Sequence, residues 1–115
     1  MEKVYDLEVR TATWAKKVRD YVKKLPREIS NIEYGKQLIR SSGSVAANYI
    51  EANESLGDKD FQMKLKICRK EAKESRLWLD LAEPLELNQT EKQQLMNEAT
   101  EYVKIFSSMI YKFKK

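Results

Sequence analysis

Histidine is absent from this chain, cysteine occurs once, proline twice and glycine three times. Without histidine there is no Ser-His-Asp or Cys-His nucleophile pair, no ordinary zinc site and no Glu-x-x-His di-iron pattern. A single cysteine, Cys68, cannot close a disulfide within the chain. It falls on an apolar helical stripe and reads as a small core residue. So little glycine and proline argues against a sheet protein, whose turns need them, and no Gly-rich phosphate loop is present. No apolar run approaches the ~20 residues of a membrane span. The opening MEKVYDLEV lacks a signal peptide's apolar segment. These absences predict a cytoplasmic chain that is not an enzyme, needs no cofactor or metal, and has no membrane partner.

What is present is charge and helical periodicity. The 115 residues have room for one domain, 1–115, and 35% of them are charged, with a net charge of +4. A chain of this size buries about 65% of its unfolded surface, enough for one core. Four helices are predicted. In the first, from about Leu7 to Lys24, Leu7, Thr11, Trp14, Val18, Tyr21 and Leu25 make one stripe. Asp6 is its N-cap, and Pro26 ends it. The second, from about Ile32 to Glu54, carries Leu38, Ser42, Val45, Tyr49 and Asn53. In the third, from about Lys59 to Ala82, Phe61, Leu65, Cys68, Ala72, Ser75, Leu79 and Ala82 repeat at four and three. Asp58 is its expected cap and Pro84 closes it. The fourth starts at Thr90, where Thr90-Glu91-Lys92-Gln93 fits a capping box. Short loops between heptad-like helices predict an all-α, up-down-up-down antiparallel four-helix bundle.

The most informative segment is Ser41 to Ile50, ten consecutive uncharged residues inside the second helix. The outer face of a solvated helix carries long charged side chains. This one carries Ser, Gly, Ala and Asn, so both its faces are expected to pack against protein, and the chain to self-assemble. Gly43, at a cost of about 1 kcal/mol against alanine, suggests close approach of another backbone.

Three constellations are candidates for function. Arg40, Ser44, Asn48 and Glu51 form a polar row on one side of the second helix. On the third helix, Glu71 and Glu74 sit among Ile67, Trp78, Leu81 and Leu85, with Lys70 one turn before Glu74. The row on the second helix is expected to be buried or interfacial, and interhelical salt bridges that fix register are the expected role of the group on the third. A hard-cation site of Glu51, Glu71 and Glu74 is the minor alternative. The third constellation is basic. Residues 1–27 hold eight positive and four negative charges, and the remainder is balanced. Lys16, Arg19, Lys23 and Arg27 line one face of the first helix. Lys59, Lys66, Arg69, Lys73 and Arg76 fall on one side of the third, and Lys112, Lys114 and Lys115 form a tail. Basic rows on rigid helices can track phosphates.

Several blocks resemble a known family. Tyr5-Asp6-Leu7-Glu8-Val9 followed by Ala12 resembles its opening "DL-x-V" segment. Ser42 to Ala52 (SGSVAANYIEA) resembles its "S-x-x-A-N-I-x-E-A" block. Asp60-Phe61 with Lys64-Leu65-x-Ile67 is similar to the start of its third helix, and Lys70-Glu71-Ala72-x-Glu74-Ser75 with Trp78-Leu79 to its "K-E-A-x-E-T-x-x-W-L" block. This is the bacterial family of 23S ribosomal RNA intervening-sequence proteins. The chain also resembles the accessory variability protein of diversity-generating retroelements. Arg10, where the family often has an aromatic residue, and Arg76-Leu77 depart from the pattern. The resemblance implies a homo-oligomer, typically a pentameric ring, and an association with RNA or the ribosome. It supplies no mechanism. Two readings follow: a homo-oligomeric, RNA-associated bundle, or a scaffold for a protein partner without direct nucleic-acid contact.

Overall fold

The structure, a computed structural model, describes residues 6–113. Four α-helices account for most of them: α1 Leu7–Lys23, α2 Ile29–Asn53, α3 Asp58–Leu81 and α4 Gln89–Tyr111. A 3-10 turn at Glu86–Asn88 precedes α4. No strand is present among the described residues. The buried side chains form one cluster between the helices, with Val18, Tyr21, Leu38, Val45, Leu65, Leu79, Tyr102 and Phe106 wholly enclosed. Each aliphatic side chain so buried contributes about 1.5–3 kcal/mol. The predicted stripes of the first three helices supply most of their share of this core because residues three and four apart share one side of a helix, and α4 adds Leu95, Met96, Ala99, Tyr102, Phe106 and Ile110 at the same spacing.

Helix starts differ from the sequence expectation in three places. The Asp6 carboxylate does cap α1, accepting from the Val9 amide at 3.2 Å. By contrast, α2 begins a turn before Ile32. Its first residue, Ile29, is almost fully exposed, so its apolar side chain gives no periodic signal. Asn31, in that same turn, ties two loops together: its Nδ2 donates to Pro26 O and Glu83 O, both at 3.0 Å, and its Oδ1 accepts from Glu83 N at 2.9 Å. In α3, Gly57 takes the cap position and Asp58 becomes the first helical residue, with no side-chain cap bond. Asp58 and Asp60 still place negative charge at the positive end of the helix. The capping box at Thr90 does not form. The 3-10 turn delivers the chain directly into α4 at Gln89, so Thr90 already lies inside the helix. Gln93 instead bonds Asn97 at 2.9 Å. At the other end of α3, Lys92 Nζ donates to Asp80 O and Ala82 O, at 3.0 and 3.1 Å, satisfying carbonyls that the helix leaves unpaired.

Cross-helix pairs define the register. Between α2 and α3, Arg40 meets Glu71 and Glu74, Ser41 meets Ser75, Val45 meets Cys68 and Glu51 meets Lys64. Between α1 and α4, Arg10 meets Glu98, Trp14 meets Leu95 and Lys24 meets Glu91. In both sets the number rises on one helix as it falls on the other. α2 and α3 pack most closely, and α1 and α4 least among the pairs of helices in substantial contact.

Candidate functional site

The outer side of α2 is open to solvent in this chain. Ile39 and Ile50 are 46% and 47% exposed, Gly43 and Ala47 are exposed, and Ser44, Ala46 and Asn48 are half-buried. A Cβ added at Gly43 would meet nothing within 4 Å. Within one chain, then, nothing encloses the second face of α2, and no backbone of the same chain comes close to Gly43. The reason is geometric: neighbours on either side of α2 reach only its flanks. The sequence was correct that this face lacks charge, and what remains is an uncharged surface on an otherwise charged molecule.

The polar row beside it resolves into local pairs. Arg40 Nη2 donates to Glu71 Oε1 at 3.3 Å and Glu74 Oε1 at 3.2 Å. Glu71 is only 6% exposed, so this guanidinium is what balances its charge. Asn48 Nδ2 donates to both Ser44 O and Ser44 Oγ at 2.9 Å, within its own helix. Lys64 Nζ donates to Glu51 Oε1 at 2.8 Å. Glu51 therefore lies at a different level from Glu71 and Glu74, with its own cation. Among the described residues no group of three His, Cys, Asp or Glu is placed to hold a metal ion. Lys70 is not a member of the network: it is exposed, and Glu74 takes Arg40 instead. Trp78 stacks on Tyr34 with ring centroids 6.0 Å apart, and its buried indole N–H finds no partner.

The basic positions Lys16, Arg19 and Lys23 of α1 border α2, and Arg27, expected on the first helix, lies instead in the loop beyond its end at Lys23. Lys16 and Arg19 flank a shallow depression with Ile39, Ser42 and Gly43. Lys23 and Arg27 flank another with Ile32, Gly35 and Ile39. All four are exposed. Arg19 Nε donates to Asp20 Oδ1 at 3.0 Å, so its charge is partly matched. Lys112 is exposed just beyond the end of α4. Lys114 and Lys115 lie outside the described residues.

A groove of about 690 Å³ lies between α1 and α4, lined by Arg10, Trp14, Lys17, Lys24, Glu91 and Glu98 among others. Little in the residue pattern signals it. Arg10 makes a two-pronged ion pair with Glu98, Nε and Nη2 donating at 2.7 and 2.9 Å. Its guanidinium also lies 5.3 Å from the centre of the Tyr102 ring. The one readable signal was Glu98 and Tyr102 four apart on α4, which puts them side by side. Chemically the groove is balanced rather than poised. The Arg10 hydrogen bond holds the Glu98 carboxyl below the usual carboxylate range. Elsewhere, burial pushes the Cys68 thiol up to about 12 and the Tyr21 hydroxyl also to about 12. Neither is a nucleophile or base near neutral pH.

Comparison with known proteins bears on the fold and the family. The family model described as "23S rRNA-intervening sequence protein" matches residues 6–108. A crystal structure of a protein of unknown function from the S23 ribosomal protein family of Bacteroides thetaiotaomicron is 28% identical. It covers 90% of this chain and 94% of its own, with a TM-score of 0.75. No curated protein matches the chain.

Proposed function

We propose a function from the premise that this chain belongs to the 23S rRNA-intervening sequence protein family: it is a non-enzymatic, homo-oligomeric, RNA-associated four-helix bundle of the cytoplasm. Its helices run up-down-up-down, a reading supported by the opposed numbering of the pairs that join α2 to α3 and α1 to α4. No helix among the described residues is long and apolar enough to cross a membrane. The observation that carries the assembly is the bare, uncharged side of α2. Ile39, Gly43, Ala47 and Ile50 offer an apolar strip that carries no charge of its own, with Lys16 and Arg19 at its margin, and the centre of a protein interface is likewise depleted of charge. Five copies in a ring is the arrangement that the family resemblance implies.

RNA contact falls to Lys16, Lys23, Arg27 and, less strongly, Arg19, with Lys112, Lys114 and Lys115 adding charge. Such contact is sequence-tolerant and falls steeply with salt. The test has two arms. Light scattering of the purified chain gives a multimer, and Ile39→Lys with Ala47→Glu reduces it to a folded monomer; a monomeric parent protein overturns the assembly. Charge reversal of Lys16, Arg19, Lys23 and Arg27 abolishes binding to structured ribosomal RNA while the helical circular dichroism is kept. Undiminished binding by that variant shows that α1 is not the contact. A protein partner that survives nuclease treatment, with no RNA bound by the parent protein, favours the scaffold reading instead.

A further inference from the structure

A stronger cationic row lies on α3. Lys66, Arg69, Lys70, Lys73 and Arg76 fall within eleven residues, a rise of about 15 Å along the helix axis. Lys66, Lys70, Lys73 and Arg76 are exposed, and Arg69 is half-buried. The two carboxylates in the same stretch are turned away from this row: Glu71 and Glu74 both meet Arg40 on the α2 side. On the opposite flank the guanidinium groups of Arg69 and Arg76 are steadied by α4, donating to Ser107 Oγ at 3.4 Å and Thr100 Oγ1 at 2.8 Å. Those hydroxyls are neutral, so both arginines keep their full charge. Lys104, between Thr100 and Ser107 on α4, is largely exposed and only loosely matched by Glu101 at 3.8 Å. The structure has thus separated this row from acid on both sides. On α1, by contrast, Asp20 sits among the cations and bonds one of them.

From this separation we infer that the α3 row, from Lys66 to Arg76, is a second nucleic-acid contact, fitted to the phosphate backbone of helical RNA. The inference rests on the RNA-associated reading above and adds to it a site and a substrate form. A straight, rigid row of cations faces the regular line of negative charge that a duplex backbone presents. Single strands are held differently, by a series of aromatic platforms on which successive bases stack. The α3 row has no such series: Phe61 packs edge-on against Phe113 and Trp78 lies against Tyr34. One exposed aromatic, Tyr111, shares the Thr100–Ser107 side of α4, and one platform at the margin cannot order a strand. Recognition of double-stranded RNA by shape and phosphate contact is the mode that remains.

The experiment uses the full chain and fluorescence anisotropy with a ~16-base-pair RNA duplex and its separate strand, each across a salt series. The parent protein binds the duplex more tightly than the strand. The triple variant Lys66→Glu, Lys70→Glu and Lys73→Glu loses more than about tenfold in duplex affinity at low salt. A milder triple variant to Gln lowers the slope of log affinity against log salt by roughly two to three, one released ion for each cation removed. All three residues are exposed, so both variants keep the helical circular dichroism and oligomeric mass of the parent. Parent-like duplex binding by both variants overturns the α3 site and leaves the RNA-associated reading standing. Equal or tighter binding of the single strand, abolished by Tyr111→Ala, overturns the duplex assignment. No binding of either RNA by the parent protein overturns both this inference and the reading beneath it.

Discussion

The seam between α2 and α3 and the seam between α1 and α4 are built on opposite principles. Between α2 and α3 the facing residues are small: Ser41, Val45, Cys68, Ala72 and Ser75, all buried. The Ser41 and Ser75 hydroxyls meet at 2.7 Å and also bond back to Leu38 O and Glu71 O of their own helices. Small side chains let the two helices approach along their length, as they do wherever interhelical distance is short. Between α1 and α4 the facing residues are long or bulky, Arg10, Trp14, Lys17, Lys24, Glu91 and Glu98, and they line an open groove. There the helices are held by a few bridges: the Arg10–Glu98 ion pair, Lys24–Glu91, and the Trp14 Nε1 hydrogen bond to Leu95 O at 3.2 Å. One seam depends on shape and the other on a small number of anchors.

That contrast can be tested by mutation. The largest effect is expected at the main anchor of the open seam. Trp14 is 2% exposed and meets Tyr102 edge-on at 5.2 Å, so Trp14→Ala should cost about 3–5 kcal/mol in urea unfolding. A cost under about 1 kcal/mol would mean that the groove collapses onto the gap. Next comes the close seam. Ser75→Leu inserts bulk where there is no space and should cost about 1–3 kcal/mol. Ser75→Ala should cost far less, because the Ser41 hydroxyl keeps its bond to Leu38 O.

A third, smaller effect is electrostatic and depends on pH. Arg10 depresses the Glu98 carboxyl, so its contribution is complete above the unfolded value near ~4.3 and is lost as the pH falls through the lower folded value. Both side chains are partly exposed, which limits the contribution to about 1 kcal/mol. Glu98→Gln should remove that amount at pH 7 and flatten the acid limb of the stability curve; an unchanged acid limb would show the pair to be idle. The smallest effect is expected on the groove wall. Thr13 and Gln94 are exposed there, and alanine at either should stay within about 0.5 kcal/mol of the parent.

The same contrast explains what was readable beforehand. The core stripes were legible because helical burial repeats every three to four residues, and Leu38, Val45, Leu65, Cys68 and Leu79 obey that period. Ile29 and Thr90 misled for the complementary reason: an exposed apolar residue and a well-spaced Thr/Gln pair carry no information about where the preceding loop delivers the chain. Arg40 does meet Glu71 and Glu74 across the α2–α3 seam, a pairing between helices that spacing along one chain does not fix. Lys70 was grouped with them wrongly, because an i,i+4 partner loses to a cation arriving from another helix when that cation reaches further into the seam.

From its residues alone this chain determined its four helices, which side of each turns inward and the uncharged side of α2. These are consequences of local spacing and side-chain type. Only the tertiary structure decided which carboxylate neutralises which cation, that one seam closes while another stays open, and that Lys64 pairs with Glu51 whereas Lys66, Lys70 and Lys73 meet no carboxylate among the described residues. Ion pairs and packing act over a few ångströms between residues tens of positions apart, and that distance is set by how the helices lie against one another.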